Sequence, residues 1–219
     1  FGRPVMLAFQ GIGPFKTSLG QRLSKMVLKR AHFVSVRDQE SARRIEDWKL
    51  GIHVVQSFDP IILEARKGEE HKQPSVLILI PRRHSGDPFL EAAKIAAKEH
   101  PFLPIKIVLL QSEDPREKAI ATRLRLEFED RSEVKPVHTI HELVEEVSKG
   151  VLVVSERYHG AIAAMGLGVP LTIVAQAKKD KLDELRAYSE GKLLIGDLVM
   201  LVRQGTAALR QSLLSLGKR

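Results

Sequence analysis

Four short runs of almost uninterrupted aliphatic residues punctuate the second half of the chain: VLILI at 76–80, IKIVLL at 105–110, VLVV at 151–154 and LTIV at 171–174. A strand with no polar alternation is buried on both faces, as happens when helices cover both sides of a parallel sheet. Parallel neighbours also need crossover connections of a dozen or more residues, and the intervening segments have that length. Helical spacing falls near 88–99, 115–129 and 140–149, with a further strand in VKPVH at 134–138 and a last helix from about 197 to 216. The expectation is a doubly wound α/β domain of at least five strands over residues 73–219.

The first 60 residues repeat the alternation with fewer strands, at 4–9, 33–36 and 53–57. From Ser18 the residues Leu19, Leu23, Met26 and Val27 share one side of a helix, and Arg22, Lys25 and Lys29 the other. A second helix follows Asp38, a capping residue, with Ser41 in its first turn. Three strands are too few for an independent Rossmann-like domain. Residues 1–64 therefore read as the C-terminal part of an N-terminal Rossmann-like domain that begins outside this chain. Asp59-Pro60 closes that part, and the polar stretch ARKGEEHKQP (65–74) reads as a linker.

Charge narrows the function. The formal net charge is +8, and residues 1–37 hold seven Lys or Arg and no acidic residue. Such bias favours an anionic partner: a phosphate, a carboxylate, nucleic acid or an acidic membrane. Nucleic acid is not expected, since aromatics are only 5% and no recognition signature accompanies the charge. With no cysteine there is no disulfide, thiolate metal site or cysteine nucleophile, which fits a cytoplasmic protein. No apolar run is long enough to span a bilayer, which leaves peripheral contact at the inner face of the membrane as the option. Asparagine is absent while Arg, Lys and Glu abound, the pattern of a thermophilic source and equally of a genome that avoids Asn codons.

The stretch VLVVSERYHGAIAAMGLGVP (151–170) carries the chemistry. In open α/β sheets ligands bind at the carboxyl ends of the strands. Arg157, Tyr158 and His159 stand at such an end, where a helix begins and its free N–H groups attract anions. Arg157 suits a bidentate grip on a phosphate or carboxylate, and His159 can exchange a proton near neutral pH. Gly160, Ala161, Ala163, Ala164 and Gly166 would let that helix approach the sheet. Two further strand ends add Gln10, Gly11 and Gly13 in QGIGP and Arg37 in SVRDQES. Neither has dinucleotide or Walker spacing. HTIHE, with His138, His141 and Glu142, lacks the partners of a metal site, and no metal or cofactor is expected.

Taken in order, QGIGP (10–14), SVRDQES (35–41), Asp59-Pro60 and S-x-R-x-H…GVP (155–170) resemble the polysaccharide pyruvyl transferase family. The resemblance covers most of the chain and is nearest the bacterial branch that pyruvylates cell-wall polymers holding the S-layer. It implies two Rossmann-like domains in a GT-B-like arrangement with the site between them. The implied reaction moves an enolpyruvyl group from phosphoenolpyruvate to a sugar, forms a pyruvate ketal and releases phosphate. Arg37 and Arg157 would then hold the donor's phosphate and carboxylate, assisted by Gln10, Gly11 and backbone contacts at Tyr158, with His159 as acid/base. Gln176 stands where family members often carry Tyr, and Lys179 matches their Lys. The acceptor would be a lipid-linked sugar. Two alternatives stay open: a GT-B glycosyltransferase using a nucleotide-sugar, and a non-catalytic module binding anions or a membrane surface through Arg22, Lys25, Lys29 and Arg30.

Overall fold

The computed structural model describes residues 3–68, 74–175, 182–183, 185–186 and 194–217. Contacts divide the chain into two compact units, one of residues up to Pro60 together with the segment from Gly196, the other of residues Ile61–Ile195.

The first unit holds a parallel three-stranded sheet in the order β1 (Met6–Gln10), β2 (Phe33–Val36), β3 (Val55–Gln56). Helices α1 (Ser18–Arg30) and α2 (Gln39–Asp47) make the crossovers. Leu28, Val34, Val36 and Ile45 form the core, with Leu7, Ile12 and Trp48 packed against it. Only Leu28 of α1 is fully buried. The expected inward face of Leu19, Leu23, Met26 and Val27 is exposed instead. The helix is turned so that Gly20, Gln21 and Ser24, all half-buried, lie on Leu28's side.

The last helix, α8 (Ile195–Leu216), groups with this unit from Gly196 onward, not with residues 73–195 as the sequence reading had it. The reason is a close fit against the segment after β3. Ser57 Oγ donates to Leu201 O at 3.0 Å. A Cβ on Gly205 would stand 2.4 Å from Ser57 Oγ.

The second unit is a fully parallel sheet in the order β6-β5-β4-β7-β8. Its strands are β4 (Val76–Ile80), β5 (Ile105–Leu109), β6 (Ser132–Pro136), β7 (Gly150–Ser155) and β8 (Leu171–Ile173). Alternation across the pleat feeds two cores. Leu77 and Leu79 face α4 (Asp87–Glu99) and α5 (Pro115–Phe128), in a cluster with Phe89 and Leu124. Ile78 and Ile80 face the other way, toward α6 (Ile140–Ser148) and α7 (Tyr158–Leu167) through Leu143, Ala163 and Leu167. β4 is followed by β5 on one side, while β7 returns on the other. The strand order thus reverses between β4 and β7, and this switch point is where open α/β sheets hold ligands.

Part of the expected linker is helix. Residues Ile61–Gly68 form α3, whose Ile62 and Ala65 are fully buried while Lys67 reaches out to pair with Glu64. The polar face had suggested a loop, but two apolar positions three apart suffice to dock one short helix.

α7 is buried from Gly160 to Leu167, so it has no solvent face. A Cβ on Gly166 would lie 2.5 Å from Ala65 Cβ in α3. Gly166→Val is therefore expected to destabilise the protein by about 1–3 kcal/mol or more, read as a lower urea midpoint. Gly196→Ala, where nothing lies within 4 Å, should leave the midpoint unchanged or slightly raised.

Candidate functional site

In the first unit the carboxyl ends of β1 and β2 are laced together by the residues of SVRDQES. Ser35 Oγ accepts from the Phe9 N–H at 2.8 Å and Ser41 Oγ from the Ile12 N–H at 2.7 Å. Arg37 N–H donates to Gln10 O at 3.2 Å, and Arg44 donates to Ile12 O. Asp38 caps α2 by accepting from Ser41 N–H at 2.7 Å. The serines and the aspartate of this motif thus hold the QGIGP loop in place. Strain collects there too: Phe9, at the irregularity in the β1–β2 pairing, has φ 56°.

Arg37 is the motif residue with charge to offer. Its Nη1 lies 2.6 Å from Asp59 Oδ2, and Asp59 is 4% exposed. The Asp-Pro pair that closes this segment therefore holds the arginine, a link invisible at 22 residues of separation. Gln10 is exposed, with its side chain turned back to Ala8 O at 2.8 Å, and Gly11 is half-buried beside it.

In the second unit Arg157 takes the N-cap position of α7 without a side-chain capping bond. Ser155 Oγ accepts from Arg157 N–H at 3.0 Å and donates to Arg157 O at 3.0 Å, which fixes the turn. Arg157 Nη2 meets Glu117 Oε1 at 3.0 Å. Glu117, in the first turn of α5, is wholly buried, and its other oxygen accepts from Gln111 N–H at 2.6 Å. Burial pushes the Glu117 carboxyl upward in pKa, while Arg157 and the Gln111 amide oppose it. Burial likewise pushes Arg157 down, with the attraction of Glu117 opposing it and the charges of Arg82 and Arg83 adding to it. Arg157 Nε is buried with no hydrogen-bond partner among the described residues.

Tyr158 and His159 occupy the first turn of α7, both half-buried, with ring centroids 5.8 Å apart in an edge-on arrangement. The arrangement can do two things: grip an anion through a partly desolvated guanidinium, and pass a proton through the neighbouring imidazole. Arg157, Tyr158 and His159 are thus brought together in one unit, while Gln10, Gly11 and Arg37 are brought together in the other. Lys179 and Gln176 lie outside the described residues.

Sequence reading missed Glu117, Glu156, Ser85, Arg82 and Arg83. The Arg82-Arg83 pair had a signal, because two consecutive arginines follow the most apolar strand after a single proline, Pro81. Glu117 had none, being 40 residues from its partner. HTIHE has a structural role: Thr139 and Glu142 form a capping box at the start of α6, and His138 N–H donates to Glu142 at 2.6 Å. No group of three or more His, Cys, Asp or Glu among the described residues could hold a metal. No described helix is long and apolar enough to cross a membrane.

A family model described as polysaccharide pyruvyl transferase matches residues 2–177. Among curated proteins none matches. Two solved structures are similar in backbone: a point mutant of S. aureus TarM in complex with Fondaparinux, alpha-GlcNAc-glycerol and UDP, and TarM itself. The first is 15% identical with a TM-score of 0.47 over 94% of this chain and 45% of that one. The second is 17% identical with a TM-score of 0.46 over 93% and 44%. The chain spans less than half the length of these structures.

Proposed function

Because the chain belongs to the polysaccharide pyruvyl transferase family, we propose that it transfers an enolpyruvyl group from phosphoenolpyruvate to a cell-wall sugar, giving a pyruvate ketal and phosphate. The observation that supports this reading best is the half-buried Arg157, fixed by Glu117 one residue before the α7 turn that carries His159.

Phosphoenolpyruvate presents a phosphate and a carboxylate. Arg157 grips one of these two anions. His159 delivers a proton to the methylene carbon, which becomes a methyl group and leaves C2 electrophilic. A sugar hydroxyl attacks C2 and gives up its proton, which restores His159. A second hydroxyl of the same sugar then forms the other C–O bond as the C2–O–phosphate bond breaks. Of the two hydroxyl protons, one is carried in the balance by the methyl group and one leaves with phosphate. The Arg157 charge stabilises the departing phosphate, the group on which negative charge accumulates.

The test is phosphate release by the full chain from phosphoenolpyruvate, with and without an N-acetylmannosamine-type acceptor. Acceptor-dependent release, with the donor's pyruvyl carbon recovered in the sugar, is the expected result. No release with any hexose or N-acetylhexosamine acceptor would overturn the reading.

A further inference from the structure

The switch point of the second unit carries more positive charge than Arg157 alone supplies. β4 and β7 are neighbours with Ile80 opposite Ser155, so the loops that follow them lie side by side. Arg82 and Arg83 stand in the first of these loops. Their turn is closed by Ser85, whose Oγ accepts from Arg82 N–H at 2.7 Å and whose N–H donates to Arg82 O at 2.8 Å. Ser85 Oγ also donates to the Glu156 carboxylate, and both residues are buried. A buried hydroxyl–carboxylate clasp therefore joins the arginine turn to the residue before Arg157.

Like charges so close together repel, and the fold counters this from the inner side. Glu117 holds Arg157 at 3.0 Å. Asp114 Oδ2 stands 3.7 Å from Arg83 Nη1, and the hydrogen bonds it accepts from Arg116 lower its pKa to about 2, so it stays anionic. Carboxylates that tether arginines at a switch point, Glu117 buried and Asp114 half-buried, make a platform whose outer side faces a ligand of opposite sign.

We propose that Arg82 and Arg83 join Arg157 in binding a phosphate group. Naming that phosphate as the donor's rests on the reading given under Proposed function. The phosphate cluster itself does not, since a free phosphate or a nucleotide would be held by the same guanidinium chemistry.

The experiment is calorimetric titration of the full chain with inorganic phosphate, phosphoenolpyruvate and UDP. Arg82→Gln and Arg83→Gln should each weaken phosphate and phosphoenolpyruvate affinity by about tenfold, and together by about 10²-fold, with circular dichroism unchanged. If Arg82→Gln disturbs the fold, Arg83→Glu carries the test, since that side chain is 42% exposed. Wild-type phosphate affinity in the double variant or in Arg83→Glu overturns the proposal, as does a wild-type chain that binds no phosphate at millimolar concentration. UDP held through these arginines more tightly than phosphoenolpyruvate upholds the cluster and overturns the phosphoenolpyruvate donor. Pyruvyl transfer with undiminished donor affinity in the double variant upholds the reaction and overturns the cluster.

Discussion

Replacing His159 with glutamine is expected to lower kcat for pyruvyl transfer by about 10²–10⁴-fold, the usual share of a general acid/base, while phosphoenolpyruvate affinity stays near wild type. Glutamine matches the size of histidine and keeps a donor, but it cannot titrate. The position is suited to such a test. His159 lies in the first turn of a helix whose anchoring comes from Gly160 onward, so the exchange should leave α7 in place. Its ring meets that of Tyr158 in an edge-on contact. A kcat near wild type would exclude proton transfer by this side chain. A loss confined to donor affinity would make it a phosphate contact instead. The split between kcat and KM therefore decides between the two roles, which a loss of overall activity could not.

The elements that position the site were legible because their causes are local. Aliphatic runs such as VLILI have few folds open to them other than a strand covered on both faces, and the structure places Val76–Ile80 at the centre of a parallel sheet. Arg157 and His159 follow such a run directly, so their place at a strand end came with the strand. What stayed hidden depends on the third dimension. The partners of Arg37 and Arg157, Asp59 and Glu117, lie 22 and 40 residues away, and an acidic residue in an amphipathic helix gives no sign that it points inward. α3 was misread because its solvent face is polar, and the phase of α1 because leucines on a helix do not say which face the sheet takes. The docking of α8 on the first unit depends on one glycine meeting one serine, Gly205 and Ser57, which no pattern announces.

The wholly buried Glu117 sets up the largest expected change in stability. Arg157→Ala would strand that carboxylate with the Gln111 N–H as its one remaining partner among the described residues, and breaking a buried pair from one side costs about 3–5 kcal/mol. Arg157→Met combined with Glu117→Leu removes both charges and fills similar volume, so it should regain most of the lost stability while donor binding stays absent. The sign of the pH dependence follows from the raised pKa of Glu117, which burial causes. A carboxyl that binds its proton more tightly when folded loses stability as pH rises from its unfolded value of about 4.3 through its raised folded value, and regains it as pH falls. With Arg157 gone the opposing charge is gone, so the raised pKa rises further and this slope steepens. Urea unfolding of wild type, Arg157→Ala and the double variant at pH 7 and pH 5 measures it. The Arg157→Ala deficit should shrink at pH 5, and the double variant should show no such recovery. A deficit of the same size at both values would mean that Glu117 is not the source of the penalty, and Arg157 would then act through packing alone.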